Sequence, residues 1–158
     1  MIEKFKTLCH VKSLREDRMF RELQTARSKL ADAEREVVRQ TEIVEESKRT
    51  LPTREEKIFQ KIMQKVVDVE EIDQTKADVV KLQEDHQRLV DNLERAKHVK
   101  KEREKAVEAA LREYRKAQRN HEKFVNMKTD LETERDTVLE QREEGEIEEL
   151  FSKGQAVM

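Results

Sequence analysis

A chain of 158 residues with 44% charged and 35% hydrophobic side chains, two glycines, one proline and no tryptophan cannot fill a large compact core or form many tight turns. This composition predicts an all-α protein built from very long helices. The formal net charge of −2 excludes a global field that attracts nucleic acid or an anionic membrane.

The N-terminal segment, residues 2–19, is predicted to be helical. Leu8, Val11 and Leu14 recur every three residues, so they drift off the face that continues the next segment. They either contact a separate partner or widen the intramolecular interface. Cys9 is the single cysteine, which excludes a disulfide framework and favours a reducing, intracellular location.

Targeting and membrane segments are not expected. The first six residues contain one acid, two bases and no apolar run, which is unlike a secretory signal peptide. No window approaches the roughly 18 apolar residues that span a bilayer, so direct membrane insertion is not predicted.

Residues 23–51 carry a heptad stripe of about four repeats, and charged residues fill most of the positions between its members. A stripe this narrow is typical of a coiled-coil seam, meaning the positions that pack on a partner helix. High charge also fits disorder, but the sustained period argues against that alternative. The seam consists of Leu23, Ala26, Leu30, Ala33, Val37, Gln40, Val44, Ser47 and Leu51.

Pro52 is expected to kink or break this helix, because proline removes a backbone donor and its ring clashes with the preceding turn. Thr53 and Glu56 have the spacing of a capping box, which suits a restart. The alternative is that Pro52 lies in the first turn of a new helix. A stripe shifted by about one position is expected beyond it, at Phe59, Ile62 and Val66.

The chain is predicted to reverse at residues 66–68, where Asp68 and Glu71 form a second candidate capping box. The predicted fold is a single antiparallel coiled-coil hairpin over residues 1–158. Its first arm is expected at about 2–65, its second at about 69–150, and a frayed tail at 152–158. Gly145 is a candidate for the end of the long helix, which would leave residues 146–151 as a loosely attached turn. Paired residue numbers should then add up to about 134.

The second arm has its own seam, which holds its frame for about sixty residues. Lys100 and Arg103 form a polar gap in it, and their long side chains are expected to reach past the seam to water. The second seam consists of Val79, Leu82, His86, Leu89, Leu93, Ala96, Lys100, Arg103, Val107, Ala110, Tyr114, Ala117, His121, Phe124, Lys128, Leu131, Arg135 and Val138.

No pattern of catalytic or cofactor-binding residues is present: the chain lacks a glycine-rich phosphate loop, a Gly-x-Ser-x-Gly and a His-Glu-x-x-His sequence. We therefore expect neither an enzyme nor a cofactor. His86 and His121 lie on the seam and His10 is predicted to approach His121. Two histidines without a carboxylate or thiolate partner make a poor metal site, so none is predicted.

Charge is distributed unevenly along the second arm. Residues 95–128 hold 12 Lys and Arg against 5 acids, whereas residues 130–149 hold 2 against 10 and residues 66–94 hold 3 against 9. Five acids interleave the basic run and almost no aromatic side chain is free to stack on bases, so protein contact is favoured over nucleic acid.

Two segments combine charge with apolar residues that are not used by a seam, and they are expected at the open end of the hairpin. Clustered apolar residues of this kind indicate a docking surface. The candidate partner-binding residues are Leu8, Val11, Lys12, Leu14, Arg15 and Arg18 in the first segment, and Glu148, Glu149, Leu150 and Phe151 in the second.

These two segments, together with the two long arms, resemble the YscO family of type III secretion stalk proteins, which are similar to the flagellar export protein FliJ. The N-terminal motif is the more specific of the two. The resemblance implies a bacterial cytoplasmic stalk in the pore of a hexameric export ATPase, connected to the export gate protein and, in some members, to secretion chaperones. It also implies that the six N-terminal residues contact partners.

Two alternatives from other classes stay open. One is a helical-hairpin chaperone or escort that holds secreted clients. The other is a structural coiled coil that dimerises through unpaired faces, whereas the stalk hypothesis predicts a monomer in isolation.

Overall fold

The computed structural model describes residues 1–63 and 65–156, with side chains up to residue 154. Two helices account for nearly all of them: α1 spans Ile2–Met63 and α2 spans Val69–Ala156. The predicted all-α fold of two long helices packed against each other is confirmed. Within the described residues, neither helix has a stretch long and apolar enough to cross a membrane.

Helix α1 is continuous through Pro52, so the predicted break and restart are wrong. Pro52 is exposed, which lets its ring face water, and the guanidinium of Arg54 donates a 2.9 Å hydrogen bond to the nearby carbonyl of Ser47. Beyond the proline, Ile58 of the original frame is half-buried whereas Phe59 is 43% exposed. The predicted shifted stripe is therefore wrong at Phe59 and Val66, which are exposed, and agrees with the structure at Ile62, which is half-buried.

The connection between the helices comprises residues 65–68, of which Val66 is fully exposed. Asp68 caps α2 as predicted: its Oδ1 accepts a 2.9 Å hydrogen bond from the backbone N–H of Glu71, and its carbonyl accepts from Ile72. Glu70 and Glu71 add negative charge at the positive end of the helix dipole. The first turn of α2 is thus fixed by local chemistry.

Helix α2 continues past Gly145 and through the predicted tail to Ala156. Neither glycine has the positive φ that a helix-ending cap requires, and a Cβ at either position would meet no atom. The described part of the tail is therefore helical, and residues 157 and 158 lie outside the described residues.

The chain divides into two compact units. Unit 1 comprises Met1–Leu23 and Ala110–Met158, and unit 2 comprises Gln24–Ala109. In each unit a stretch of α1 packs antiparallel on a stretch of α2, as described separately below. The single hairpin over residues 1–158, and a kink near 52, stay predictions.

Unit 1 is centred on Cys9, Leu23 and Ala117, which are buried. Side chains of α1 and α2 meet in a fixed order: Phe5 with Phe124, Glu16 with His121, and Phe20 with Tyr114. Because the α1 number rises as the α2 number falls, the helices run antiparallel here.

Unit 2 contains the connection and most of the first seam. Every seam residue from Ala26 to Leu51 is buried or half-buried, as predicted. The small residues Ala33, Ser47, Thr75 and Ala96 are among the most buried, which lets the helix backbones approach closely. Ser47 contacts His86 and Glu55 contacts Gln83, so the pairing is again antiparallel. In both units the paired numbers add up to between 129 and 138, close to the predicted value.

Candidate partner-binding surfaces

The outer face of the first helix in unit 1 is the first candidate surface, and we define it as Leu8, Val11, Leu14, Arg15 and Arg18. At about 100° per residue, these five side chains project from one side of α1, away from buried Cys9. Leu8, Val11 and Leu14 are 41%, 51% and 53% exposed. The exposure favours the interpretation that they contact a separate partner over the alternative that they widen the interface with α2.

Lys12 lies at the edge of this outer face and turns toward α2. Its Nζ is 5.3 Å from the ring centroid of Phe124, within the range of a cation–π contact. The aliphatic stem of the lysine therefore covers the ring while its ammonium stays near the surface. Of the six N-terminal candidates, Lys12 is the one that the structure engages in packing.

The opposite side of the same helix segment is held by a polar and aromatic seam. His121 Nδ1 and Glu16 Oε2 are 2.5 Å apart and both side chains are largely buried. The rings of Phe5 and Phe124 lie 6.4 Å apart, and those of Phe20 and Tyr114 lie 5.6 Å apart, both tilted. These contacts fix the rotation of α1 about its own axis and thereby point the outer face away from α2.

The second candidate surface lies near the end of α2. Leu131 and Glu132 are half-buried in unit 1, residues 133–144 are all exposed, and Gly145 is half-buried. Glu148, Glu149, Leu150 and Phe151 are exposed as well, with Leu150 and Phe151 at 70%. Arg135 and Val138 continue the heptad spacing and are exposed, and they line an open groove together with Met1 and Ile2.

Unit 2 exposes a further apolar group that sequence reasoning missed. It flanks the connection between the helices, and its members are 37% to 106% exposed. Two of them, Phe59 and Val66, were assigned to a shifted seam, and that assignment concealed them. The heptad frame of residues 23–51, continued without a shift, passes through Ile58. That frame could have shown that Phe59 and Val66 lie off the seam. The group consists of Phe59, Met63, Val66, Val69 and Ile72.

A buried polar network also occupies unit 2. The hydroxyl of Ser47, a residue 7% exposed, lies 2.8 Å from His86 Nδ1 and accepts a 3.0 Å hydrogen bond from Arg54 Nη2. Arg54 Nε is buried and finds no hydrogen-bond partner among the described residues. The seam histidine His86 thus acts as a packed polar spacer.

The polar gap at Lys100 and Arg103 is half-buried. Lys100 shares a shallow groove with Val37 and Lys97, and its Nζ reaches a point 3.9 Å from the carboxylate of Glu104. The stem therefore lies along the seam and the charge lies beside an acid near water, which is the predicted arrangement.

Among the described residues, neither the shifted pKa values nor the placement of possible metal ligands indicates a catalytic site. Arg39 and Gln40 donate hydrogen bonds that lower the pKa of Glu36 to about 2, and Arg49 lowers the pKa of Glu46 in the same way. Both are local pairs on the surface of α1. Among the described residues, no three His, Cys, Asp or Glu side chains are placed to hold a metal ion.

Comparison with known proteins identifies a solved structure of similar fold. No curated protein matches the sequence. The fold is similar to that in the 2.8 Å crystal structure of type III secretion protein YscO from Vibrio parahaemolyticus, with a TM-score of 0.88 and 22% identity over 94% of this chain and 93% of that one.

The family comparison is decisive because it covers almost the whole chain. The model of the family described as "Type III secretion protein YscO" matches residues 5–153, a range that includes both candidate surfaces of unit 1. The chain therefore belongs to the YscO family of type III secretion proteins, and that membership implies association with the secretion apparatus.

Proposed function

We propose that this chain is a non-enzymatic stalk of a bacterial type III secretion system, which links the export ATPase ring to the export gate protein in the cytoplasm. Its membership of the YscO family supports a role in secretion. A linking role requires at least two contact surfaces. The proposal rests on the observation that each compact unit exposes a candidate contact surface that the helices of that unit leave uncovered.

The surface in unit 1 is the outer face. It combines three apolar side chains that are 41% to 53% exposed with the guanidinium groups of Arg15 and Arg18. Apolar residues supply contact area, and the arginines supply bidentate hydrogen bonds to carboxylates. We therefore expect its partner to present an apolar patch beside acidic side chains.

The surface in unit 2 is the apolar group at the connection. Val66 is fully exposed and Met63 and Val69 are exposed by about three quarters. Its α2 side is acidic, since Asp68, Glu70, Glu71 and Asp73 stand among its members, whereas its α1 side carries Lys57, Lys61 and Lys65. The outer face has arginines and no such acidic side, and this difference favours two different partners over one partner bound twice. A secretion chaperone is a further expected partner, and we assign it to neither surface.

Site-specific photo-crosslinking in cells that carry the cognate secretion system tests this proposal. A photoreactive residue is placed at Val11 in one strain and at Val66 in another, and exposed Val38 serves as the control position. We expect Val11 and Val66 to capture two different apparatus components, the ATPase and the export gate protein, and Val38 to capture neither. Capture of the same component from both sites, or of neither component, contradicts a linking role.

The escort alternative gives a different result in a purified system. An escort suppresses aggregation of an unfolded secreted client at a stoichiometric ratio without any ATPase. We expect no suppression, because the described apolar groups are small patches on helix surfaces rather than an enclosed cavity.

A further inference from the structure

The most exposed apolar side chains of the helical end of α2 form a compact group. Ile147, Leu150 and Phe151 are 63%, 70% and 70% exposed, and α2 is helical through all three. We call them the terminal anchors. Among the described residues, α1 does not cover the anchors, because every residue from 133 to 154 except Gly145 is exposed.

The spacing of the terminal anchors is that of one helix face. Positions 147, 150 and 151 are related as i, i+3 and i+4, so at about 100° per residue they fall within a sector of roughly 100°. Amphipathic helices that insert into a hydrophobic groove of a partner use this spacing for their anchoring side chains. The face therefore suits insertion into a concave apolar site.

Negative charge borders the anchors. Residues 130–149 hold 10 acids against 2 bases, a net charge of −8. By helix geometry, Glu144 lies about 20° from Phe151 on one side and Glu146 lies about 40° from Leu150 on the other. Both glutamates are exposed.

The charge also argues against a second copy of this chain as the occupant. Two such helix ends placed side by side would bring together two segments of net charge −8. The outer face of another copy carries arginines, but it is the convex side of a single helix and offers no groove.

We propose that the end of α2 inserts Ile147, Leu150 and Phe151 into an apolar groove rimmed by Lys and Arg on a protein of the secretion apparatus. This inference rests on the proposed function for the class of partner. It adds Ile147 to the partner-binding residues near the end of α2. It also specifies the chemistry of the site on the partner that binds them. The acids steer and orient the helix, and the three apolar side chains hold it in place.

Binding of the full chain to purified components tests the inference. The cognate ATPase, the cytoplasmic domain of the export gate protein and a secretion chaperone are each titrated against the fluorescently labelled chain. We expect at least one of them to bind through the anchors, and we expect Ile147→Ser with Phe151→Ser to weaken that binding at least about tenfold. Val38→Ser, at a residue 58% exposed in unit 2, is the apolar control and should leave the affinity unchanged.

The salt dependence tests the basic rim. Raising NaCl from about 50 to about 300 mM should weaken binding, because it shortens the screening length. Glu144→Gln with Glu146→Gln should reduce both the affinity and its response to salt. Glu84→Gln, another exposed acid, is the control.

The outcomes separate this inference from the proposed function. If a component binds but the anchor variant binds equally well, or if binding is indifferent to salt, the inference is wrong and the stalk proposal stands. If no component binds the wild-type chain, the proposed function itself fails. If the anchor variant instead converts a dimer to a monomer in sedimentation, the occupant is a second copy and the inference is wrong.

Discussion

The ammonium of Lys12 lies 5.3 Å from the ring centroid of Phe124, so a basic residue of the N-terminal motif stabilises the packing of α1 on α2 in unit 1. Phe124 also contacts Phe5, which makes it the aromatic side chain with the most cross-helix partners among the described contacts. This position determines which side of α1 faces outward.

Phe124→Ala should therefore destabilise the fold. Truncating a buried phenylalanine costs about 3–5 kcal/mol, and because Phe124 is half-buried we expect about 2–3 kcal/mol. Chemical denaturation monitored by circular dichroism measures this change. Val125→Ala, at the adjacent and more exposed position, should stay within about 0.5 kcal/mol of the wild type. Equal effects at the two positions would contradict the packing of Phe124 against Phe5 and Lys12 of α1.

Ser47→Ala should destabilise unit 2 by about 1–2 kcal/mol, because it leaves a nitrogen of half-buried His86 without this partner and removes one of two acceptors of Arg54. Thermal unfolding checks the effect. Ser28 is exposed on the same helix, so Ser28→Ala should be neutral or slightly stabilising. If Ser47→Ala lowers the unfolding temperature no more than Ser28→Ala does, the polar network contributes nothing to stability.

Pro52→Ala should stabilise the protein. The helix is continuous here, so alanine restores a backbone donor and removes a ring clash, which together are worth about 1–3 kcal/mol. The midpoint of urea unfolding should rise accordingly. A lower midpoint would indicate that the chain is not helical through residue 52 in solution.

The seam could be predicted from the sequence because heptad spacing depends on residues a few positions apart. Leu23 and Ala33 followed from that spacing alone, and the Asp68 cap followed from a local rule that the structure obeys. The break at Pro52 was wrong, because α1 stays helical through residue 52, with Arg54 bonded back to the carbonyl of Ser47 and Glu55 in contact with Gln83 of α2. Tertiary contact, which the local pattern does not contain, decided that position.

The candidate surfaces were predicted less completely. Leu8 and Leu14 were identified because their spacing departs from the seam. Ile147 was missed because it stands among glutamates and after a glycine that suggested a helix end. Its significance appears once α2 is seen to continue as a helix, since Leu150 and Phe151 then fall on the same face.

The most direct test of the proposed stalk is to alter the outer face without altering the fold. Leu14→Asp with Arg15→Glu changes one exposed apolar and one basic residue, and Val80→Asp with Lys81→Glu makes the same change on the exposed surface of unit 2. Both variants should keep the helical circular dichroism of the wild type. We expect the first to lose binding to the component captured at Val11 and to abolish secretion, and the second to retain both. Intact binding and secretion in the first variant would contradict the account.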